Sequence, residues 1–156
     1  MIEDLGLVIG ELSMLHKAHW DELGDGKEFN FRYDILKRMW EQNMVRVLGV
    51  FDDGRLVGHA TGYMLTDMMT GAKTAVEQAV YLLPAYRGQS FGTQLGLRAI
   101  EEMKKECITR ARMTCAIGIP ANNLVQKLGF KHAGNVYEYD FNPVSEQHDT
   151  RRTASA

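Results

Sequence analysis

At 156 residues with 45% hydrophobic content, the chain suits one compact domain with a sizeable core and is too short for two of ordinary size. Its net charge of −2, with both signs mixed along the chain, leaves no basic footprint for a nucleic-acid backbone, so nucleic acid is not an expected partner. No apolar run approaches the ~20 residues of a membrane span, and the N-terminus MIEDLGLVIG is acidic where a signal peptide is basic, so the expected location is the cytoplasm, with no membrane partner.

In chain order, Leu5, Val8, Ile9, Leu12 and Leu15 recur at helical spacing and predict a helix to Leu23, stopped by Gly24-Asp25-Gly26. Tyr33, Leu36, Met39 and Trp40 predict a second helix ending near Asn43. Val45 to Phe51 and Leu56 to Leu65 read as a hairpin around Asp52-Asp53-Gly54. After a polar loop from Thr66 to Lys73, Thr74 to Leu83 reads as a strand ended by Pro84, which cannot donate to a ladder.

Phe91 to Glu106 is an amphipathic helix, with Leu95, Ala99, Ile100 and Met103 on one face. Gly96 inside it predicts close packing on the sheet. A strand at Arg112 to Ile117, a short helix from Ala121 to Leu128 ended by Gly129, and a last strand at Val136 to Phe141 complete the order. Residues 1–144 are expected to form a single α/β (α+β) domain with helices on both sheet faces, and 145–156 a disordered tail. Cys107 and Cys115 lack CxxC spacing and read as reduced core thiols. His16, His19 and Glu22 do not make an HExxH motif, and no metal is expected.

The chemistry concentrates after the strand ending in Tyr81-Leu82-Leu83-Pro84. There Arg87-Gly88-Gln89-Ser90-Phe91-Gly92-Thr93 leads straight into a long helix. Unpaired amides at a helix N-terminus favour an anion, and small residues let its oxygens approach the main chain. Arg87 adds a fixed charge with the fork geometry that suits a diphosphate. The pattern is neither a Walker loop nor GxGxxG, so a nucleotide-binding protein of those kinds is disfavoured.

The run LLPAYRGQSFGTQL resembles the acetyl-CoA signature of the GNAT superfamily of N-acetyltransferases, [QR]xxGx[GA], here Arg87-x-x-Ser90-x-Gly92. The resemblance extends from about Leu12 to Phe141 through Asn122-Asn123 and Lys127-Leu128-Gly129-Phe130, and EQAVYLLPAYRG and HWDEL are similar to members found in phages. It implies a mixed, mostly antiparallel sheet of about six strands flanked by four helices and splayed at a central bulge. It implies acetyl-CoA as donor substrate, held by Leu82, Leu83, Arg87, Gly88, Gln89, Ser90, Phe91, Gly92, Thr93 and Asn123, with a main-chain N–H near Leu82 facing the thioester. The expected reaction is direct transfer to a primary amine of a small molecule or protein. A homodimer fits the resemblance as well.

Two departures stand out. If the Ser90 position needs positive φ, serine costs ~1–2 kcal/mol; otherwise its hydroxyl is free to donate to a phosphate. Val125 matches the position of a tyrosine that protonates the departing thiolate in many members, so Tyr137 or Tyr139 is the substitute acid, although either also reads as a strand aromatic. Glu77, on the motif-bearing strand, is the candidate base for an amine that is mostly protonated at neutral pH. His19 and Glu22 share one face of the first helix and are candidates for binding the acceptor, while His59 and His132 read as structural. The alternative is a non-catalytic CoA-binding or protein-interaction module on the same fold.

Overall fold

The computed structural model describes residues 1–23, 28–115 and 121–136. Helix α1 (Leu5–Leu23) starts where the Asp4 carboxylate accepts the Gly6 N–H at 2.8 Å, an N-cap. Its Leu5, Val8, Leu12 and Leu15 are buried together with Leu36 of α2 (Tyr33–Glu41) against Val45 and Val47 of β1 (Val45–Asp52). Strand alternation sends Arg46 and Leu48 to the other face. There Arg46 makes a two-pronged ion pair with Glu106, 2.8 Å on each prong, just past α3 (Phe91–Lys105). The helices therefore cover both faces of the sheet, as expected.

The sheet order is β1-β2-β3-β4, with β2 at Arg55–Thr66, β3 at Lys73–Leu82 and β4 at Arg110–Arg112. The first two pairings are antiparallel and the last parallel. Four strands are present among the described residues, against about six expected; the expected strand at Val136–Phe141 lies outside them apart from Val136. With α4 (Ala121–Lys127) the described helices number four, as expected. The Gly24–Gly26 stop and the 145–156 tail also lie outside the described residues.

Of the strand expected at Arg112–Ile117, residues 116 and 117 lie outside the described residues; among the described ones the pairing runs from Arg110 to Arg112, against Thr74–Val76. A bulge in β3 follows this paired stretch. Thr61 faces Ala79 while Gly62 faces Glu77, leaving Gln78 as an extra residue in β3. Such an insertion bends a strand and sharpens its twist, and here it does so two residues beyond the last parallel pair. The far half of β3 thus has no strand partner on its β4 side among the described residues. Gly96 packs closely, but on Leu128 after α4 rather than on the sheet: a Cβ there would meet Leu128 Cδ1 and lie 3.2 Å from its Cδ2.

Candidate active site

The chain leaves β3 through a single 3₁₀ turn at Pro84–Tyr86 and enters the loop that the sequence singles out. Tyr86 anchors it: its hydroxyl donates to Asp52 at 2.6 Å, and its ring meets Phe91 edge-on at 5.9 Å. Gly88 has φ 77° and Ser90 φ 65°, both left-handed. Ser90 therefore occupies the strained alternative, and its hydroxyl does not cap α3. Instead its Oγ accepts from Gln94 Nε2 at 2.9 Å, while the Gln89 amide donates to Ala85 O at 3.1 Å.

Among the described residues the N–H groups of Gly88, Gln89 and Ser90 have no acceptor in the protein. Those of Phe91, Gly92 and Thr93 open α3 and have no partner within the helix. This row of donors at the positive end of a helix suits an anion such as a diphosphate. Gly92 lies beneath it, where a Cβ would come within 3.4 Å of Leu124 and 3.6 Å of Leu82.

Arg87 points elsewhere. Its Nε donates to Leu82 O at 2.8 Å, and its Nη2 donates to both oxygens of Glu22 at 2.9 and 2.8 Å. Tyr81 completes the group, donating its hydroxyl to Glu22 at 2.6 Å beneath the guanidinium, which lies 5.1 Å from its ring. His19 stacks on the same ring at 5.2 Å. The Tyr81 hydrogen bond, with help from Arg87, holds the Glu22 carboxyl below its usual range. Burial and the Glu22 carboxylate push the Tyr81 phenol up to about 12, so it stays a donor. The two residues expected at the acceptor, His19 and Glu22, are thus joined to the residue expected at the donor.

Leu83 N–H donates to Val57 O at 3.0 Å, toward β2. By strand alternation the Leu82 amide faces the opposite, open edge of β3, which agrees with Arg87 taking its carbonyl from that side. This edge borders a cleft of about 950 Å³ whose lining includes His19, Glu77, Gln78, Val80, Gly92 and Cys115. Val125 of α4 lines it too, an apolar group where a tyrosine was expected, and Asn123 is exposed two residues earlier. Tyr137 and Tyr139 lie outside the described residues.

Glu77 sits at the base of the open edge, where Thr114 N–H donates to its Oε2 at 3.4 Å. Burial raises its pKa, partly offset by that N–H. Burial lowers the pKa of His19, with Glu22 pulling it up and Arg87 pushing it down. The shift moves Glu77 toward the range that suits a proton acceptor at neutral pH, while His19 is held in its neutral form. Burial and Glu77 raise the Cys115 thiol, which keeps it protonated and a poor acyl carrier. His59 is fully buried and its Nδ1 lies 3.0 Å from the Thr61 hydroxyl, a structural setting as expected. No group of three metal-ligating side chains occurs among the described residues.

Sequence reasoning missed Tyr81, Gln78, Thr114 and Cys115. Strand alternation puts Tyr81 on the core face, but nothing local signals a partner 59 residues away.

The model of the acetyltransferase (GNAT) family matches residues 12–130. The chain belongs to this family. Acetyl transfer is the family's activity, and GNAT acetyltransferases use acetyl-CoA. Among solved structures, an aminoglycoside acetyltransferase from an uncultured soil metagenomic sample, in complex with sisomicin, aligns with TM-score 0.74 and 16% identity over 89% of this chain and 90% of its own. A predicted acetyltransferase with acetyl-CoA from Clostridium acetobutylicum gives 0.70 and 17% over 88% and 92%. A ribosomal-protein-alanine N-acetyltransferase from Brucella melitensis biovar Abortus 2308 gives 0.70 and 17% over 86% and 92%. At these identities the likeness is one of fold. No curated protein matches the sequence. No described helix of this GNAT chain is long and apolar enough to cross a membrane.

Proposed function

We propose that the chain is an acetyl-CoA-dependent N-acetyltransferase, built on one domain of residues 1–144, that moves an acetyl group directly to a primary amine. The observation that carries this reading is the edge of β3 beyond Val76, which among the described residues runs without a strand partner onto the loop whose amides from Gly88 to Thr93 have no partner there either. An anion-binding loop and an exposed row of strand amides in continuity fit a ligand with a diphosphate at one end and a peptide-like arm at the other. The donor supplies an activated thioester carbonyl.

The chain's own residues divide the work. The loop amides hold the diphosphate, and the edge of β3 from Glu77 to Leu82 orients the arm. The Leu82 N–H faces the position where thioester oxygen charge would grow, a type of contact worth about 3 kcal/mol when removed from other enzymes. Glu77 takes the proton from the acceptor amine, directly or through water, because partial burial keeps it basic enough for that transfer. His19 and Glu22 lie toward the acceptor. The sisomicin complex of a structural neighbour is consistent with a small polyamine or amino sugar as acceptor.

The test is release of free CoA thiol from acetyl-CoA with a panel of polyamines, aminoglycosides and lysine peptides, followed by mass spectrometry of the products. Acetylation of any amine above the buffer rate supports the reading. Ser90 and Val125 favour a second one, a CoA-binding module without turnover. Thermal stabilisation by acetyl-CoA but not ATP, with no thiol released across the panel, would establish that module.

A further inference from the structure

Glu22 has both carboxylate oxygens committed, to Arg87 and to the Tyr81 hydroxyl. Its partner Arg87 belongs to the loop whose amides await an anion. The same guanidinium thus lies between two negative groups, one built into α1 and one that arrives with the donor. Two observations make the arrangement exchangeable rather than fixed. The Arg87 and Glu22 side chains are 45% and 43% exposed, so neither is locked by packing. Arg87 Nη1 makes no hydrogen bond among the described residues, so an incoming phosphate meets an open side of the guanidinium before the Glu22 contact is lost.

We propose that Glu22 is an internal stand-in for the donor's diphosphate and becomes the acceptor's cation site only when the donor draws Arg87 away. This rests on the acetyltransferase reading above and deepens it by naming the acceptor class, an organic cation, and the order of binding. Before donor arrival the Glu22 charge is neutralised by Arg87, and an ammonium approaching along α1 meets the guanidinium as well. After exchange, Glu22 retains the Tyr81 hydroxyl and lies within the same group as His19, which lines the cleft. A bare carboxylate beside an aromatic ring is a suitable receptor for an ammonium or amidinium group. Tyr81 holds the carboxylate in place in both states.

The test uses calorimetric titration of the full chain and of Glu22→Gln and Glu22→Ala with inorganic pyrophosphate and with acetyl-CoA, at low salt and without acceptor. Removing the competing anion should tighten both ligands about three- to tenfold in both variants, with the gain shrinking as salt rises. With spermidine as acceptor probe, the full chain should bind it only when CoA is present, and Glu22→Gln should not bind it in either condition. Unfolding midpoints within a few degrees of the parent show that the variants fold. Unchanged or weakened pyrophosphate binding in both variants, or spermidine binding that ignores CoA, overturns the exchange. If pyrophosphate tightens as expected but acetyl-CoA binds no form of the protein, the exchange stands and the acetyltransferase reading falls.

Discussion

Ser90 is the position where the conformational cost is most legible. It sits at φ 65°, ψ −11° as the residue before α3, yet its side chain makes no cap bond to that helix. An L-residue in the left-handed region costs ~1–2 kcal/mol. Glycine would remove that cost but adds ~0.4–1 kcal/mol of unfolded-chain entropy, and loses an exposed hydrogen bond from Gln94 of small net value. The balance for Ser90→Gly is a gain of about 0.5–1 kcal/mol, which raises Tm by about 1–4 °C in a chain of this size. Ser90→Ala keeps the left-handed strain and should leave Tm within about 1 °C. Thermal denaturation of the three proteins side by side measures this. A lower Tm for the glycine variant, or an equal rise for alanine, would refute the assignment of strain to this residue.

Glu77→Gln should lower kcat/KM about 100-fold and flatten the acidic limb of the pH–rate profile, while acetyl-CoA affinity by calorimetry stays within about twofold. Gly58→Ala should cost about 1–3 kcal/mol in urea denaturation, because the new Cβ would collide with Leu82 Cδ2 and lie 2.9 Å from Tyr81 O, and it should also depress kcat by shifting Leu82. His16 and His59 lie with ring centroids 4.4 Å apart, tilted by 49°, and their Nε2 atoms are buried and unpaired among the described residues. Burial is the first cause lowering both, His16 to about 4 and His59 to about 3 from an ordinary 6.5. Because the folded values are depressed, the unfolded chain binds more protons below pH 6.5. Their stabilising effect is therefore complete above that pH and lost as pH falls toward about 4 and 3. The unfolding free energy from urea denaturation should fall across that window, by on the order of 3 kcal/mol for His16 alone, and a flat profile would contradict the burial of these rings.

Much of the architecture is written in local patterns. The apolar spacing of Leu5, Val8, Leu12 and Leu15 dictates α1 because one helix face must meet β1, and Pro84 and Gly129 end their elements for steric reasons visible in the chain. The loop from Gly88 to Gly92 is equally legible, since a strand, two glycines and a helix leave few other geometries. The bulge at Gln78 is not, because the extra residue follows from the pairing of β2 with β3 rather than from any signal inside β3. The Glu22–Arg87 pair is hidden for a similar reason: it joins residues 65 apart that the sequence assigns to two different ligands, the acceptor and the diphosphate. The sign of φ at Ser90 was open in the sequence and needed the backbone to decide it.

The most direct test of the central claim is an amide-resolved NMR titration of the full chain with acetyl-CoA. The account predicts the largest shifts at the N–H groups of Gly88 to Thr93, with a second set along the open edge of β3 from Glu77 to Leu82. Saturable binding that leaves those amides unmoved, or no binding at all, would contradict it.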